Sequence, residues 1–226
     1  MDICLNYVVA GQGFPLVMLH GNGEDHTYFK HQIGPFSEWY QVIAPDTRGH
    51  GRSPRGRAPF TLDQFAEDLK AFLDSREIRR CHLLGFSDGA NIALLFALNY
   101  PEYVEKLVLN GADLYPSGVK LSTQLPIVLG WGLLQAVRRF DKRARPKWEL
   151  LDLMTTQPHI NAKALAALNM PALVVAGNRD MIREKHTRLI AKSIPGSELA
   201  ILPGDHFVAR RNWEAFNPVI LEFLRK

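Results

Sequence analysis

Cysteine is scarce in this sequence, and long apolar runs are missing. The 226 residues include two cysteines, Cys4 and Cys81, with no pairing pattern. A small secreted domain held by disulfides would carry several cysteines at regular spacings, so that class is excluded and a cytoplasmic location is expected. The first residues lack the basic start and the apolar run of a signal peptide. No apolar stretch reaches the roughly eighteen residues that a transmembrane helix needs, so no membrane span is expected.

Net charge is also modest. The formal charge is +4, and no long block of like charge marks a nucleic-acid-binding arm. Five histidines, His26, His31, His82, His159 and His186, show no metal-ligand spacing with one another or with the two cysteines, so neither a metal nor another cofactor is expected. The expected partner is therefore a small-molecule substrate, and the oligomeric state is left open.

The most informative feature that is present is a Gly-x-Ser-x-Gly motif at residues 85–89. It lies between the apolar run Cys81–Leu84 and a helix-like run that starts at Asn91. A strand that turns sharply into a helix strains the residue at the turn, and small flanking residues let the two backbones approach. The hydroxyl of Ser87 would then lie at a helix N-terminus, where N–H groups stabilise a developing negative charge. Ser87 is therefore predicted to be a catalytic nucleophile.

A serine nucleophile needs a base and a carboxylate that orients the base. His206 follows the strand-like run 198–202 and is predicted to be the base, and Asp180 follows the run 171–177 and is predicted to be the acid. Asp113, which follows the run 106–112, is the alternative acid. Asp205, next to His206, is interpreted as a turn residue that fixes the loop.

With these residues in the order serine, acid, histidine, the chain resembles the serine-nucleophile branch of the α/β-hydrolase superfamily. The segment 16–23 is similar to the family's strand that ends in a His-Gly loop, and the segment 46–53 is similar to its Asp-x-Arg-Gly-His-Gly-x-Ser loop. The resemblance implies an α/β fold with a mostly parallel central sheet and helices on both faces. It also implies an oxyanion hole formed by the backbone N–H groups of Asn22 and Asp88.

Other residues in these loops are interpreted as structural. His20 and His50 are expected to brace the backbone, which is how the family it resembles mainly uses histidine in these loops. Asp46 and Arg48 are predicted to form an ion pair with each other, because a short bidentate pair can lock a glycine-rich turn.

The rest of the chain alternates between strand-like and helix-like runs, which predicts one domain over residues 1–226. The N-terminal segment leaves little room for the family's first hairpin, so the sheet is expected to be trimmed at that edge. Residues 113–168 break the alternation and are expected, by resemblance, to form a small helical lid after the family's sixth strand. The predicted strands lie at 5–10, 15–20, 41–45, 80–86, 104–110, 171–177 and 198–202, and the predicted helices at 61–77, 87–99, 183–193 and 212–225.

The lid segment is apolar in one part and basic in the next. The run Leu125–Leu134, which includes Trp131, would favour a substrate with an apolar acyl or alcohol group, and Trp131 is a candidate substrate-binding residue. Packing in the core is the alternative use of such a run. The basic run Arg138–Lys147 would suit an acidic substrate or an anionic membrane surface, and a solvated helix face is the alternative.

Three functions fit these residues. The first is a serine hydrolase that cleaves a small ester, thioester or activated amide through an acyl-enzyme. The second is carbon–carbon bond hydrolysis or cofactor-free peroxidation with the same serine, and the third is a non-enzymatic small-molecule receptor that kept the fold. Serine at the turn excludes the nucleophilic aspartate of dehalogenases and epoxide hydrolases.

Asp88 has two interpretations. The sequence Gly-x-Ser-Asp-Gly is similar to that of the valacyclovirase-like branch of the superfamily, in which this aspartate binds the α-amino group of amino-acid esters. By that resemblance Asp88 is a candidate substrate-binding residue. The other interpretation is structural, because a carboxylate in the first turn of a helix is favourable on its own account.

Overall fold

A computed structural model describes residues 2–226, and its centre is a sheet of seven strands. The strands are β1 (Tyr7–Ala10), β2 (Pro15–Leu19), β3 (Gln41–Pro45), β4 (Cys81–Phe86), β5 (Val104–Asn110), β6 (Ala172–Gly177) and β7 (Glu198–Leu202). Their order across the sheet is β1-β3-β2-β4-β5-β6-β7. β1 pairs with β3 antiparallel, and every other pair is parallel.

The α-helices cover both faces of this sheet. They are α1 (Ile33–Ser37), α2 (Leu62–Ser75), α3 (Asp88–Asn99), α4 (Leu121–Val137), α5 (Arg145–Thr156), α6 (Glu184–Ser193), α7 (Val208–Arg211) and α8 (Trp213–Arg225). Buried side chains of α2, α3 and α6 form one apolar core with the sheet, and those of α1, α7 and α8 form the other.

Strand β2 shows why two layers of helices are needed. Val17 and Leu19 belong to the first core, whereas Leu16 and Met18 belong to the second, as expected when successive side chains point to opposite faces. A strand that is buried on both faces reads as a continuous apolar run instead of an alternating one. The sequence-based prediction of a mostly parallel, doubly covered sheet is therefore confirmed.

The predicted trimming of the N-terminal edge is confirmed as well. In residues 2–226, β1 alone extends the sheet beyond β3, and it pairs with β3 from Tyr7 opposite Pro45 to Ala10 opposite Val42. The seven predicted strands are found with ends that shift by at most two residues, and the four predicted helices with similar shifts. The strand that the family numbers six is β5 here, so the lid follows β5.

The segment between β5 and β6 contains α4 and α5, which pack against each other. We propose that the chain is a single domain with residues 113–168 as its lid. Both helical layers pack on the same sheet, and in the chain α4 and α5 come between β5 and β6, which are neighbours in that sheet. Within residues 2–226, no helix is long and apolar enough to cross a membrane.

Candidate active site

Ser87 lies at the turn between β4 and α3. Its backbone has φ 53° and ψ −122°, a left-handed conformation that is strained for a residue with a side chain. A side chain added at Gly89 would place its Cβ 2.1 Å from the carbonyl oxygen of Leu19, and one added at Gly85 would lie 2.2 Å from the carbonyl oxygen of Gly89. The two glycines are thus required by the close approach of α3 to β2 and β4.

His206 lies beside Ser87 and has Asp180 on its other side. Its Nε2 is 2.9 Å from the Ser87 Oγ, and its Nδ1 is 2.7 Å from the Asp180 Oδ1. Asp180 and His206 are both buried, and the same Asp180 oxygen accepts a hydrogen bond from the backbone N–H of Ile182. The structure therefore brings together the three residues predicted from the sequence, in one continuous hydrogen-bonded series.

The backbone around His206 is shaped to hold the ring. Gly111, the residue after β5, has φ 66°, and a Cβ there would lie 2.8 Å from His206 Cε1. The loop after β7 is fixed by Asp205, whose carboxylate accepts from the Phe207 backbone N–H and pairs with Arg211. Asp205 is thus a turn residue, as the sequence suggested, and Gly111 is a contact that the sequence analysis did not identify.

Asp113, the alternative acid, has a different partner. Its Oδ1 accepts from Asn91 Nδ2 at 2.9 Å, and its backbone N–H donates to Asn91 Oδ1 at 3.0 Å. Burial raises the pKa of Asp113 to about 7, and the nearby carboxyl of Asp88 adds to the rise. Within the described residues, Asp113 makes no hydrogen bond to His206. Asn91 was overlooked in the sequence because it lies in an otherwise apolar helical run.

The two predicted oxyanion donors belong to segments that lie next to Ser87. Asp88 is the first residue of α3, so its N–H has no acceptor within the helix. The loop that contains Asn22 touches the serine, since a Cβ at Gly21 would lie 3.2 Å from the Ser87 Cβ. Asn22 is held by its side chain, which donates to the carbonyl of Leu150 in α5, and its backbone N–H makes no hydrogen bond within residues 2–226.

A narrow pocket opens at Ser87 below the lid. Its volume is about 20 Å³, which is about enough to hold one water molecule. The pocket is lined by Ser87, Asp88, Asp113, Val119, Gln124, Met154, Gln157, Met181 and Ile182. Two carboxyl groups therefore face a space whose remaining lining is both polar and apolar, and the lid helices α4 and α5 contribute Gln124 and Met154 to it.

Asp88 contributes its side chain to this pocket. Its Oδ2 is buried, and no hydrogen-bond donor of the described chain reaches it. Burial raises the pKa of Asp88 to about 6, and the nearby side-chain amides of Asn22 and Asn91 limit the rise. The buried Oδ2 accepts no capping hydrogen bond from the backbone of α3. What remains of the structural interpretation of Asp88 is the general attraction between a carboxylate and a helix N-terminus.

Glu24 is a third carboxyl close to the site. It is about four-fifths buried, and its nearest cation, Arg210, lies 4.0 Å away. Burial raises the pKa of Glu24 to about 7, and the neighbouring charges of Arg210 and His206 limit the rise. No pattern in the sequence points to Glu24, because this residue lies in a loop without a strand or helix pattern.

Trp131 does not contact the pocket. It is half-buried in α4, and its indole N–H donates to Asp152 of α5 at 2.7 Å. Its side chain thus joins the two lid helices, and it is absent from the pocket lining described above. This placement corrects the prediction that Trp131 binds substrate: the polar end of the indole is used within the lid.

The prediction of an Asp46–Arg48 ion pair was wrong. Asp46 is saturated by other donors, among them the backbone N–H groups of His26 and Arg52. Arg48 is fully buried and forms a bidentate pair with Asp68 of α2, with both contacts at 2.6 Å. Both residues fix the loop, but through different partners: Asp46 accepts from His26 and Arg52, and Arg48 binds Asp68 of α2.

The histidines of these loops brace the backbone, as expected. His20 Nδ1 lies 2.8 Å from the Gly21 carbonyl, and its Nε2 accepts from the Thr47 backbone N–H at 2.9 Å. Burial lowers the pKa of His20 to about 4, so the ring is neutral at physiological pH. His50 Nδ1 lies 3.0 Å from the carbonyl oxygen of Arg48.

One group of possible metal ligands was not foreseen from spacing. Asp25, His26 and Asp46 bring one ligand atom each within 4.8 Å of one another. The ring of His26 is 2.8 Å from the Asp46 carboxylate, which also accepts from backbone N–H groups, and Asp25 accepts from Thr27. These oxygens are therefore occupied as hydrogen-bond acceptors that hold the loop, and we propose no metal there.

Comparison with known proteins adds independent observations. The family model described as alpha/beta hydrolase fold matches residues 15–159. Serine hydrolase BPHL of Homo sapiens is 30% identical, over 98% of this chain and 83% of its own length. The 2-hydroxymuconate semialdehyde hydrolase of a Pseudomonas species is 33% identical, over 74% of this chain and 57% of its own. The solved enol-lactonase from Burkholderia xenovorans shares the fold, with a TM-score of 0.84 at 20% identity over 99% of this chain and 97% of that one.

These similarities agree with the geometry of the site. The family model covers more than half of the chain, including the turn at Ser87, and the two relatives given above are both named as hydrolases. The interpretation as a non-enzymatic receptor is therefore set aside. The chain belongs to the α/β-hydrolase family, and it is an enzyme of the hydrolase type.

Proposed function

We propose that the protein is a serine hydrolase that cleaves a small-molecule ester, thioester or activated amide through an acyl-enzyme. The observation that carries this proposal is the hydrogen-bonded series from the Ser87 Oγ through His206 to Asp180, with distances of 2.9 and 2.7 Å. A serine hydroxyl is a weak nucleophile until a base can take its proton, and this series supplies the base and the group that orients it.

The reaction follows from the positions of these groups. His206 takes the Ser87 proton as the Oγ attacks the carbonyl carbon, and the Asp180 carboxylate stabilises the imidazolium and holds its tautomer. The N–H groups of Asp88 and Asn22 donate to the oxyanion of the tetrahedral intermediate. His206 then gives the proton to the leaving alcohol, thiol or amine. A water molecule, deprotonated by His206, hydrolyses the acyl-enzyme in the second half-reaction.

Covalent labelling tests this proposal. A fluorophosphonate is expected to modify the protein once per chain, at Ser87, and peptide mass spectrometry identifies the residue. An activated p-nitrophenyl ester is expected to be turned over by the same preparation, with turnover abolished by the label. Labelling at another residue would contradict the assignment of Ser87 as the nucleophile. Labelling at Ser87 without ester turnover in folded protein would contradict the proposed ester hydrolysis and favour the carbon–carbon hydrolase or peroxidase alternative that uses the same three residues.

We further propose that the substrate carries a cationic amino group that Asp88 binds. The support is the buried Oδ2 of Asp88, which faces the pocket beside Ser87 with no donor to satisfy it. A buried carboxylate oxygen without a partner is costly, and a substrate ammonium would satisfy it. The resemblance of Gly-x-Ser-Asp-Gly to the valacyclovirase-like sequence points to the same class, the amino-acid esters.

Replacing Asp88 with asparagine is expected to lower kcat/KM for an L-valine ester about 10²-fold more than for the isovalerate ester of the same alcohol. The two substrates differ by the amino group, so the neutral ester reports any general damage to the site. Measurement of kcat/KM for both esters on both proteins gives the result. Equal losses on the two esters would remove the amino-group proposal and leave the proposed serine hydrolase intact.

The same preference should depend on pH. Because burial raises the pKa of Asp88 to about 6, its carboxylate form increases as the pH rises through that value, and the preference for the valine ester should increase with it. The preference should fall again when the substrate amine loses its proton, near about pH 8. Asp113, with its pKa raised to about 7, lines the same pocket. The midpoint of the rise in preference therefore reports the joint titration of Asp88 and Asp113, not of Asp88 alone. Asp88→Asn should flatten the rising limb.

A further inference from the structure

The outward face of α4 is apolar and exposed. The helix has 17 residues and none of them is charged, and at about 1.5 Å per residue it is roughly 26 Å long. Four of its leucines recur every fourth position, and three of them are 66% exposed. We call the exposed apolar residues of α4 and the turn after it the lid ridge: Leu121, Leu125, Val128, Leu129, Leu133, Val137 and Phe140.

The orientation of α4 is fixed by contacts of its other face. Gln124 Nε2 donates to the Met154 carbonyl, and the Trp131 indole donates to Asp152 of α5. Residues on this inward face are half-buried, and Gln124 lines the pocket at Ser87. The lid ridge therefore lies on the side of α4 that faces away from the pocket, and it is not the packing face. A contiguous apolar surface of this kind on a folded protein marks an interaction site.

A basic segment, Arg138–Lys147, follows the lid ridge directly. It contains six basic residues and one acidic residue, Asp141. Asp141 pairs with Arg143, and Arg145 pairs with Glu149 of α5. Among the residues that the structure describes, the exposed side chains of Arg139, Lys142 and Lys147 form no ion pair. Phe140, within this segment, is 93% exposed. Apolar and basic side chains are thus presented together at one end of the ridge.

We propose that the lid ridge and the basic segment form a docking surface for an anionic lipid membrane. Leucine and phenylalanine side chains can enter the acyl boundary, while lysine and arginine side chains beside them attract anionic headgroups. An anionic lipid surface presents a dense array of negative charge, which can pair with the cations of the basic segment that have no anionic partner within residues 2–226. Apolar packing against a second copy of this chain would cover the lid ridge, but it would supply no negative charge to Arg139, Lys142 and Lys147. The helix would lie in the interface, parallel to the membrane plane, and the proposal does not depend on the proposed substrate.

Binding to vesicles tests this surface. The protein is mixed with vesicles of phosphatidylcholine and with vesicles in which phosphatidylglycerol replaces part of it, and the bound fraction is measured by co-sedimentation. Binding is expected with the anionic vesicles, and it should weaken as salt is added. No binding to anionic vesicles, or equal binding to both kinds, would overturn the proposal.

Two variants and a control locate the surface. Leu129→Asp with Leu133→Asp, and separately Lys142→Glu with Lys147→Glu, should each lower the partition coefficient for anionic vesicles at least about tenfold. The control, Lys30→Glu with Lys192→Glu, makes the same change in net charge at exposed lysines elsewhere and should retain binding. Circular dichroism melting curves verify that all variants are folded.

A second copy of the chain is the competing occupant, and sedimentation velocity detects it. A dimer that Leu129→Asp with Leu133→Asp converts to monomer, in a protein that does not bind anionic vesicles, would overturn the proposal. Loss of vesicle binding in the ridge and basic variants, with retention in the control, would support it.

Discussion

Replacing Ser87 with alanine is expected to lower the turnover number about 10⁴-fold or more, to the level left by binding and the oxyanion donors. The physical reason is that alanine cannot form the acyl-enzyme, and no other hydroxyl of the described chain is hydrogen-bonded to His206 Nε2. A loss of about 10⁴-fold corresponds to roughly 5.4 kcal/mol of transition-state stabilisation. The measurement is steady-state ester hydrolysis by protein purified from a host without contaminating esterases.

Two further variants separate chemistry from folding. Ser87 has φ 53°, a conformation that glycine adopts without strain. Ser87→Gly should therefore be as inactive as Ser87→Ala and at least as stable, because it removes the hydroxyl and relieves the backbone. Ser75→Ala, at an exposed serine near the end of α2, should retain full activity. Hydrolysis retained by either Ser87 variant would show that another residue is the nucleophile.

The position of the candidate triad could be predicted because it depends on strand ends. Ser87 follows β4, Asp180 follows β6 and His206 follows β7. In a parallel sheet the carboxyl ends of the strands share one edge, so residues far apart in the chain are brought to the same crevice. Each of these strands is a short apolar run that ends in a turn, and that pattern can be read without knowledge of the partner strands.

The contacts between side chains could not be predicted in the same way. Asp46 and Arg48 stand two residues apart and looked like a pair, but Arg48 is bound by Asp68, 20 residues away in α2. Asn91 stands at the start of an apolar helical run, and its role is visible only from its partner Asp113, 22 residues away. Which donor meets which acceptor depends on how α2 and α3 pack on the sheet, and local pattern does not contain that information.

The lid shows a second limit of sequence patterns. An apolar helix that is buried all round and one that exposes an apolar face have the same composition, so periodicity does not say which applies. For the run that contains Trp131, the sequence predicts either contact with an apolar substrate group or packing in the core, and neither interpretation includes an apolar face exposed to solvent. In the structure Trp131 faces α5, whereas Leu129 and Leu133 face outward. The outward face could be identified only when the packing of α4 on α5 was known.

Replacing Asp180 with asparagine is expected to lower kcat by about 10³- to 10⁴-fold while the fold is retained. The Asp180 Oδ1 lies 2.7 Å from His206 Nδ1, so an amide at this position can present an N–H where an acceptor is needed and favour the wrong imidazole tautomer. The amide also cannot stabilise the imidazolium that forms when Ser87 gives up its proton. The measurement is kcat for a neutral ester, with melting curves as the test of folding.

Asp113→Asn is the matched comparison, because it makes the same chemical change at the alternative acid. Burial raises the pKa of Asp113 to about 7, so near neutral pH the group is already protonated in much of the population and asparagine resembles that form. Its hydrogen bonds to Asn91 position the side chain away from the role of orienting His206. A loss of less than about tenfold is therefore expected. If Asp113→Asn proves more damaging to kcat than Asp180→Asn, the acid follows β5 and the assignment of Asp180 is wrong.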